Sequence, residues 1–290
     1  MIHTFYYCIA GFRIALTGTL DAEALLPSFH GFRCAPCDDA QLLFSLTVLP
    51  QRPAPMGDAV EVGLFDSDLG HVQLMKAEDK YCIHLKYKDG AVHEMRANPS
   101  FTDLQAYICL TDRYAGEALN SLLRIAFSQA ILAHGGISIH ASAVMRNGRA
   151  YLFMGKSGTG KSTHASLWLS SFPGTGLLND DNPIIRLQGH SAFVYGSPWS
   201  GKTPCYRNLR CELGGVARLV QAPTNHFALQ ESENAFIALL PGCSVVHKDA
   251  RLYDSLCNTL AELVELVPVG ILQCEPNGEA ARICAAALLK

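Results

Sequence analysis

The run Gly155-Lys156-Ser157-Gly158-Thr159-Gly160-Lys161-Ser162, followed by Thr163, joins glycines, lysines and hydroxyls at the spacing GxxxxGK[ST]. It stands between an apolar stretch over 151–154 that predicts a strand and a stretch over 161–169 that predicts a helix. Glycines at these positions permit a turn whose backbone N–H groups converge on phosphates, and the helix start adds free donors and the positive end of its dipole. The chemistry implied is binding of a nucleoside triphosphate such as ATP, with Lys161 on the β and γ phosphates and the Ser162 hydroxyl on Mg²⁺.

A second acidic element, Leu177-Leu178-Asn179-Asp180-Asp181-Asn182, ends an apolar run in adjacent carboxylates. Like charges that close raise each other's pKa, and a bound cation would relieve the repulsion while leaving one carboxylate able to take a proton. A solvated Asn/Asp turn is the bland reading. His140, in an apolar run before the glycine loop, becomes a candidate because a hairpin would bring it beside the strand entering that loop. Residues 196–203, Gly-Ser-Pro-Trp-Ser-Gly-Lys-Thr, read as a substrate-side loop offering Trp199 and Lys202; a buried tryptophan anchoring an irregular connection is the alternative. Arg207 and Arg210 are candidates for further anion contacts, with solvated surface arginines as the alternative, and Glu212 is a weaker acidic candidate for the metal. Cys34-Ala35-Pro36-Cys37 reads as an incidental pair in a loop.

The elements that must position these groups fall into two patterns. Short apolar or alternating runs over 5–17, 41–49, 60–64, 71–75, 81–87 and 91–95 predict strands, with a hairpin turn at Asp89-Gly90. Residues 1–106 are expected to form a small β-rich domain for partner binding, substrate recruitment or cover. Between Tyr114 and Ala133 the spacing of Leu119, Leu122, Leu123, Ala126, Phe127, Ala130 and Ile131 predicts an amphipathic helix leading into the main domain, and ending at His134-Gly135-Gly136. Runs over 137–144 and 149–154 predict antiparallel strands joined by a type I′ turn at Asn147-Gly148. Later strands are expected over 176–178, 183–187, 192–195 and 269–273, and helices over 232–240, 249–264 and 279–289. The expected fold is a mixed-sheet α/β domain over 107–290.

Composition sets the outer limits. The chain has 290 residues, 49% hydrophobic and 17% charged, with a formal charge of -3. No basic patch forms, so nucleic acid and membrane surfaces are poor partners. The start lacks a signal-peptide pattern and no apolar run is long enough to span a bilayer, which makes a cytoplasmic location the expectation. The 11 cysteines are an odd number, scattered through apolar segments, and suit free thiols.

Ile139-His140-Ala141, the loop from Gly155 to Thr163, and Leu178-Asn179-Asp180-Asp181 together resemble the kinase domain of HPr kinase/phosphorylase and, more distantly, ATP-dependent phosphoenolpyruvate carboxykinase. The resemblance covers about His140 to Gly215 and implies a P-loop kinase fold of that type. It implies that Lys161 and Ser162 hold phosphates and metal, that one of Asp180 and Asp181 supports the metal, and that the other, assisted by His140, is the base toward a hydroxyl. Glu212 would match an acidic position before a glycine pair. Thr163 stands where HPr kinases have glutamate, and their Glu-Ile-Arg-Gly segment appears only as Glu212-Leu213-Gly214-Gly215, so HPr itself does not carry over as the acceptor. Pro198-Trp199-Ser200-Gly201-Lys202 is similar to a stretch in loosely defined HPr kinase-like proteins.

The leading expectation is a Mg²⁺- and ATP-dependent phosphotransferase acting on a hydroxyl of a small molecule or of a protein or peptide serine. A nucleotide-binding regulatory or assembly protein is the second reading, and carboxykinase-like decarboxylation a minor third. A homo-oligomer is among the assemblies the chain could form.

Overall fold

The computed structural model describes residues 1–66, 70–77 and 79–289. Its contacts divide into two compact units, Met1–His134 with Val245–Tyr253, and Gly135–Ser244 with Asp254–Lys290. The division at His134 differs from the boundary expected near 107. The amphipathic helix α2 packs with the first unit, because its apolar stripe is buried there.

The first unit holds β1 (His3–Ile9), β2 (Phe12–Gly18), α1 (Ala22–Leu25), β3 (Leu42–Leu49), β4 (Val60–Asp66), β5 (Gly70–Lys76), β6 (Tyr81–Tyr87), β7 (Val92–Ala97), β8 (Asp103–Tyr107) and α2 (Ala115–Ala130). Its strands run in the order β1-β2-β3-β8-β7-β6-β5-β4. The single run expected over 5–17 is a hairpin, turned at Ala10 and Gly11, both with positive φ. On α2, Leu119, Leu122, Leu123, Ala126 and Phe127 are all fully buried, the stripe that the 3.6-residue period requires.

The second unit holds β9 (Gly136–Ser138), β10 (Ala141–Arg146), β11 (Arg149–Met154), α3 (Lys161–Ser171), β12 (Gly176–Asp181), β13 (Ile184–Gln188), β14 (Ser191–Tyr195), β15 (Arg210–Gln221), β16 (His226–Gln230) and α4 (Ser232–Leu239). It closes with β17 (Val269–Cys274) and α6 (Gly278–Leu288), while α5 (Ala250–Leu266) begins in the segment counted with the first unit. The sheet is mixed. β11 pairs antiparallel with β10, β10 antiparallel with β12, and β11 parallel with β15. The first half of β15 pairs with β14 and its second half with β17, so two strands share one edge of it. Asn147 and Gly148 take φ of 51° and 80°, the left-handed pair a type I′ turn needs between β10 and β11.

α3 and α6 cover one face of this sheet. Trp168, Phe153, Tyr151, Ala217, Leu272 and Leu288 belong to one buried cluster there. Deleting a side chain as large and as buried as Trp168 typically costs about 3–5 kcal/mol, and this packing fixes the helix whose first turn completes the glycine loop. Among the described residues no helix is long and apolar enough to cross a membrane.

β15 is central to the sheet yet was not among the expected strands, and it carries the glycine pair Gly214 and Gly215 in its interior. Their role is close approach: a Cβ on Gly214 would lie 2.6 Å from the ring of Tyr151, which is 3% exposed. Gly214→Ala should therefore lower the unfolding free energy by about 1–3 kcal/mol through overpacking, read from urea denaturation. An unchanged midpoint would show that the Tyr151 ring moves aside at no cost.

Candidate functional site

β11 delivers the chain to the loop over 155–160 at the edge of the buried cluster. Gly155 has φ of 154°, and a Cβ there would meet Thr159 Oγ1 at 2.7 Å and the Leu219 carbonyl at 3.1 Å, so no side chain fits. Gly158 and Gly160 also take positive φ. Gly160 is the N-cap of α3 and gives no side-chain cap. The first-turn N–H groups of that helix are left for an external acceptor, the arrangement that binds an anion.

Lys161 Nζ folds back over the loop and donates to the carbonyls of Gly155 at 3.2 Å and Lys156 at 3.4 Å. Burial lowers its pKa from the ordinary lysine value, while the nearby Asp181 and Asp180 oppose that shift. One turn on, His164 is 3% exposed, packs edge-on against Phe153 and accepts a hydrogen bond from Trp168 Nε1 at 3.2 Å. Burial pushes its pKa down to about 4, so it stays neutral. A cavity of about 200 Å³ opens beside the loop, lined by Gly158, Thr163, His164, Leu219, Gln221 and Cys274 among others.

β12 brings the acidic pair to the same end of the sheet. Asp180 is in register with Ser142 of β10, which is in register with Phe153 of β11. Asp180 is 3% exposed. Its Oδ1 accepts from Ser142 Oγ at 2.5 Å and from Ser162 Oγ at 2.9 Å, while its Oδ2 is buried with no hydrogen-bond partner. Asp181 Oδ1 lies 3.4 Å from His140 Nε2, a half-exposed pair. His140 stands between β9 and β10 rather than within a strand as expected, because the chain there turns its backbone N–H to the Gly242 carbonyl at 2.8 Å.

These contacts form a ladder. Ser138, His140 and Ser142 alternate with apolar residues, and they meet Asn182, Asp181 and Asp180 respectively, the first through Ser138 Oγ donating to Asn182 Oδ1 at 2.7 Å. Ser138 and Ser142 were missed as site residues. The signal was present as a period-two alternation over 137–143, which puts every polar member on one face.

Asp181 has φ of 150°. It bridges to Ser200, and the Gly201 N–H donates to the Asp180 carbonyl at 2.5 Å. The loop carrying them is knitted down by Asn179, fully buried, whose Nδ2 donates to the carbonyls of Trp199 at 3.0 Å and Ser197 at 3.3 Å.

Lys202 is exposed and follows Gly201, whose backbone lies against Asp180 and Asp181. Three other sequence candidates are corrected. Trp199 is 3% exposed and anchors this loop instead of presenting a face to a ligand. Arg207 Nη1 would lie 3.7 Å from a Cβ on Gly176, at the start of β12 and five residues from Asp181. Glu212 pairs in register with Arg149, the first residue of β11, while the loop follows the last, so it lies at the opposite end of the sheet and is not a ligand of a cation at Asp180. Cys34 and Cys37 form no disulfide.

Residues 79–196 match the family model described as phosphoenolpyruvate carboxykinase. The match is somewhat under half of the chain and takes in His140, the glycine loop and both aspartates. The α/β unit with its mixed sheet, preceded by additional strands, is consistent with that ATP-using family fold. The chain is also similar to the solved Hpr(Ser) kinase/phosphatase from Coxiella burnetii, at 12% identity and a TM-score of 0.31, covering 52% of this chain and 88% of that one. No curated protein matches the chain.

The φ of Asp181 is a conformation costing on the order of 1–3 kcal/mol for a residue other than glycine. Glycine there would remove that strain at an entropic cost of about 0.5–1 kcal/mol, and the exposed ion pair with His140 is worth at most about 1 kcal/mol. Asp181→Gly should hold or raise the urea midpoint. A fall of more than about 1 kcal/mol would mean that the carboxylate's contacts stabilise the fold more than its backbone strains it.

Proposed function

We propose that this protein transfers the γ-phosphoryl group of ATP to a hydroxyl of a small molecule or of a protein or peptide serine. The observation that carries the reading is the convergence of Lys161, the Ser162–Asp180 hydrogen bond and the His140–Asp181 pair at the mouth of the glycine loop. The loop amides and Lys161 would hold the β and γ phosphates. Asp181, oriented by His140, would take the proton of the attacking hydroxyl as its oxygen bonds to phosphorus, and the bridging oxygen would leave with ADP. Lys202 would steer the acceptor.

The donor set fits Mg²⁺: a hydroxyl and a carboxylate already in contact, and a buried carboxylate oxygen, Asp180 Oδ2, that lacks a partner. Ser162 and Asp180 would hold the ion, which neutralises charge on the phosphates when bound. Residues 155–163 and the cavity beside them are the proposed nucleotide side. The carboxykinase reading would need a cationic cluster for an organic acid, of which Lys202, Arg207 and Arg210 are only fragments. Arg210 lies over the Phe193 ring, 4.6 Å from its centroid.

Lys161→Ala should weaken MgATP binding by about 10- to 100-fold, the worth of about 1.5–3 kcal/mol for hydrogen bonds to a charged group. An unchanged calorimetric affinity would remove the nucleotide assignment. With γ-labelled ATP and fractionated cytoplasm as acceptor source, Asp181→Asn should keep MgATP affinity while label transfer falls by about 10²- to 10⁴-fold. Transfer at the wild-type rate would exclude Asp181 as the base.

A further inference from the structure

One face of the first sheet gathers chemistry that phosphoryl transfer does not use. Cys82 and His84 are two apart on β6, so both side chains leave the same face. His84 is in register with Glu94 of β7, and Cys82 with Arg96. Cys82 Sγ lies 3.3 Å from His84 Nε2, and that same nitrogen lies 3.3 Å from Glu94 Oε2. The three donor atoms are all within 4.8 Å of one another, with Cys82 at 2% and Glu94 at 3% exposure. They line a cavity of about 610 Å³ together with Met75, Arg52 and the proline-containing segment that follows Arg52.

One imidazole nitrogen offers a single hydrogen or a single lone pair, so Nε2 alone cannot serve both a thiol and a carboxylate fully. The other ring nitrogen, Nδ1, is buried with no hydrogen-bond partner. A cation between Sγ, Nε2 and Oε2 ends that competition by serving all three donor atoms at once, while Nδ1 keeps the ring's proton. A tetrahedral zinc-type site, with bonds of about 2.3 Å to sulfur and about 2.0–2.1 Å to nitrogen and oxygen, has ligand-to-ligand edges of roughly 3.3–3.6 Å. The two edges seen here are 3.3 Å each.

The carboxylate is also oriented as a ligating one is. Arg96 Nε holds the opposite oxygen, Oε1, at 2.8 Å, and Arg96 Nη2 ties the same arginine to the Ala54 carbonyl. Arg52 Nε, 3.1 Å from Oε2, competes for the ligating oxygen, but its side chain is 48% exposed and borders the cavity into which it can turn.

We propose that Cys82, His84 and Glu94 form a binding site for a zinc-type divalent metal ion, with the fourth position facing the cavity and open to water or to a donor group of a small ligand. Binding replaces the Cys82 thiol proton and displaces Arg52 from Oε2. Three protein ligands and an open position are the pattern of sites that act on a ligand rather than only brace a fold.

The full chain, stripped with chelator and titrated with Co²⁺ alone, tests this. A single equivalent should give the thiolate-to-cobalt charge-transfer band with tetrahedral visible bands, and Zn²⁺ should bleach them. Cys82→Ser should lose the charge-transfer band, and Arg52→Ala should bind Co²⁺ at least as tightly as wild type. Absence of the band in the wild-type chain would overturn the proposal, and so would its persistence in Cys82→Ser, which would assign it to another cysteine.

Discussion

Adjacent residues of a β-strand point to opposite faces, so two neighbouring carboxylates can meet one ligand only if the backbone between them breaks that alternation. Asp181, with φ of 150°, is that break. It lets Asp180 and Asp181 both reach the polar row of Ser142 and His140 on the neighbouring segment. The conformation is held from outside. Ser200 bridges to Asp181, Gly201 donates to the carbonyl of Asp180, and buried Asn179 fastens the loop that carries both. A Cβ at residue 201 would come within 3.1 Å of that carbonyl, which is why a glycine stands there.

Two charges near this break lack what they need. Asp180 Oδ2 is buried without a partner, and such an orphaned acceptor costs roughly 1–3 kcal/mol. Lys161, whose charged form burial disfavours, rests on two loop carbonyls and not on a carboxylate. Ser142 and Ser162 both spend their hydroxyls on the same oxygen of Asp180. A metal-bound polyphosphate, as proposed, would meet each deficit: negative oxygens for the lysine and the helix start, and a cation for the free carboxylate oxygen.

Much of this was legible in residue order because it is local. The glycine loop, the Asn147-Gly148 turn and the apolar stripe of α2 follow from spacing within a few residues, and the structure forms all three. What was not legible depends on long-range packing. β15 is concealed by Gly214 and Gly215, whose purpose appears only when Tyr151 and Leu288 come against them. Glu212 looked like a partner of the loop until strand register placed it beside Arg149. Trp199 could have faced a ligand or the core, and only its burial in the folded chain decides for the core. The ladder from Ser138 to Ser142 lies between these cases, since its alternation is visible but its partners sit about forty residues away.

The order of strands bears on how a proposed donor and acceptor would lie. Reading across from β15 through β11 and β10 to β12, the cavity lined by Leu219 and Gln221 comes first, the glycine loop after β11 next, and the aspartates at the end of β12 last. At about 4.8 Å between neighbours, these three strand steps separate the cavity side from the acid side by roughly 14 Å. The connection between β14 and β15 crosses to the acid side, where Ser200 and Gly201 bond the aspartate backbone and Lys202 is exposed. Base, phosphates and acceptor would then lie in sequence along the sheet end, with each group served by a different strand's loop. In such an arrangement the acceptor loop meets the phosphate cradle through the Asp180 and Asp181 backbone and the hydroxyl of Ser162, so the loop could vary elsewhere without disturbing the cradle.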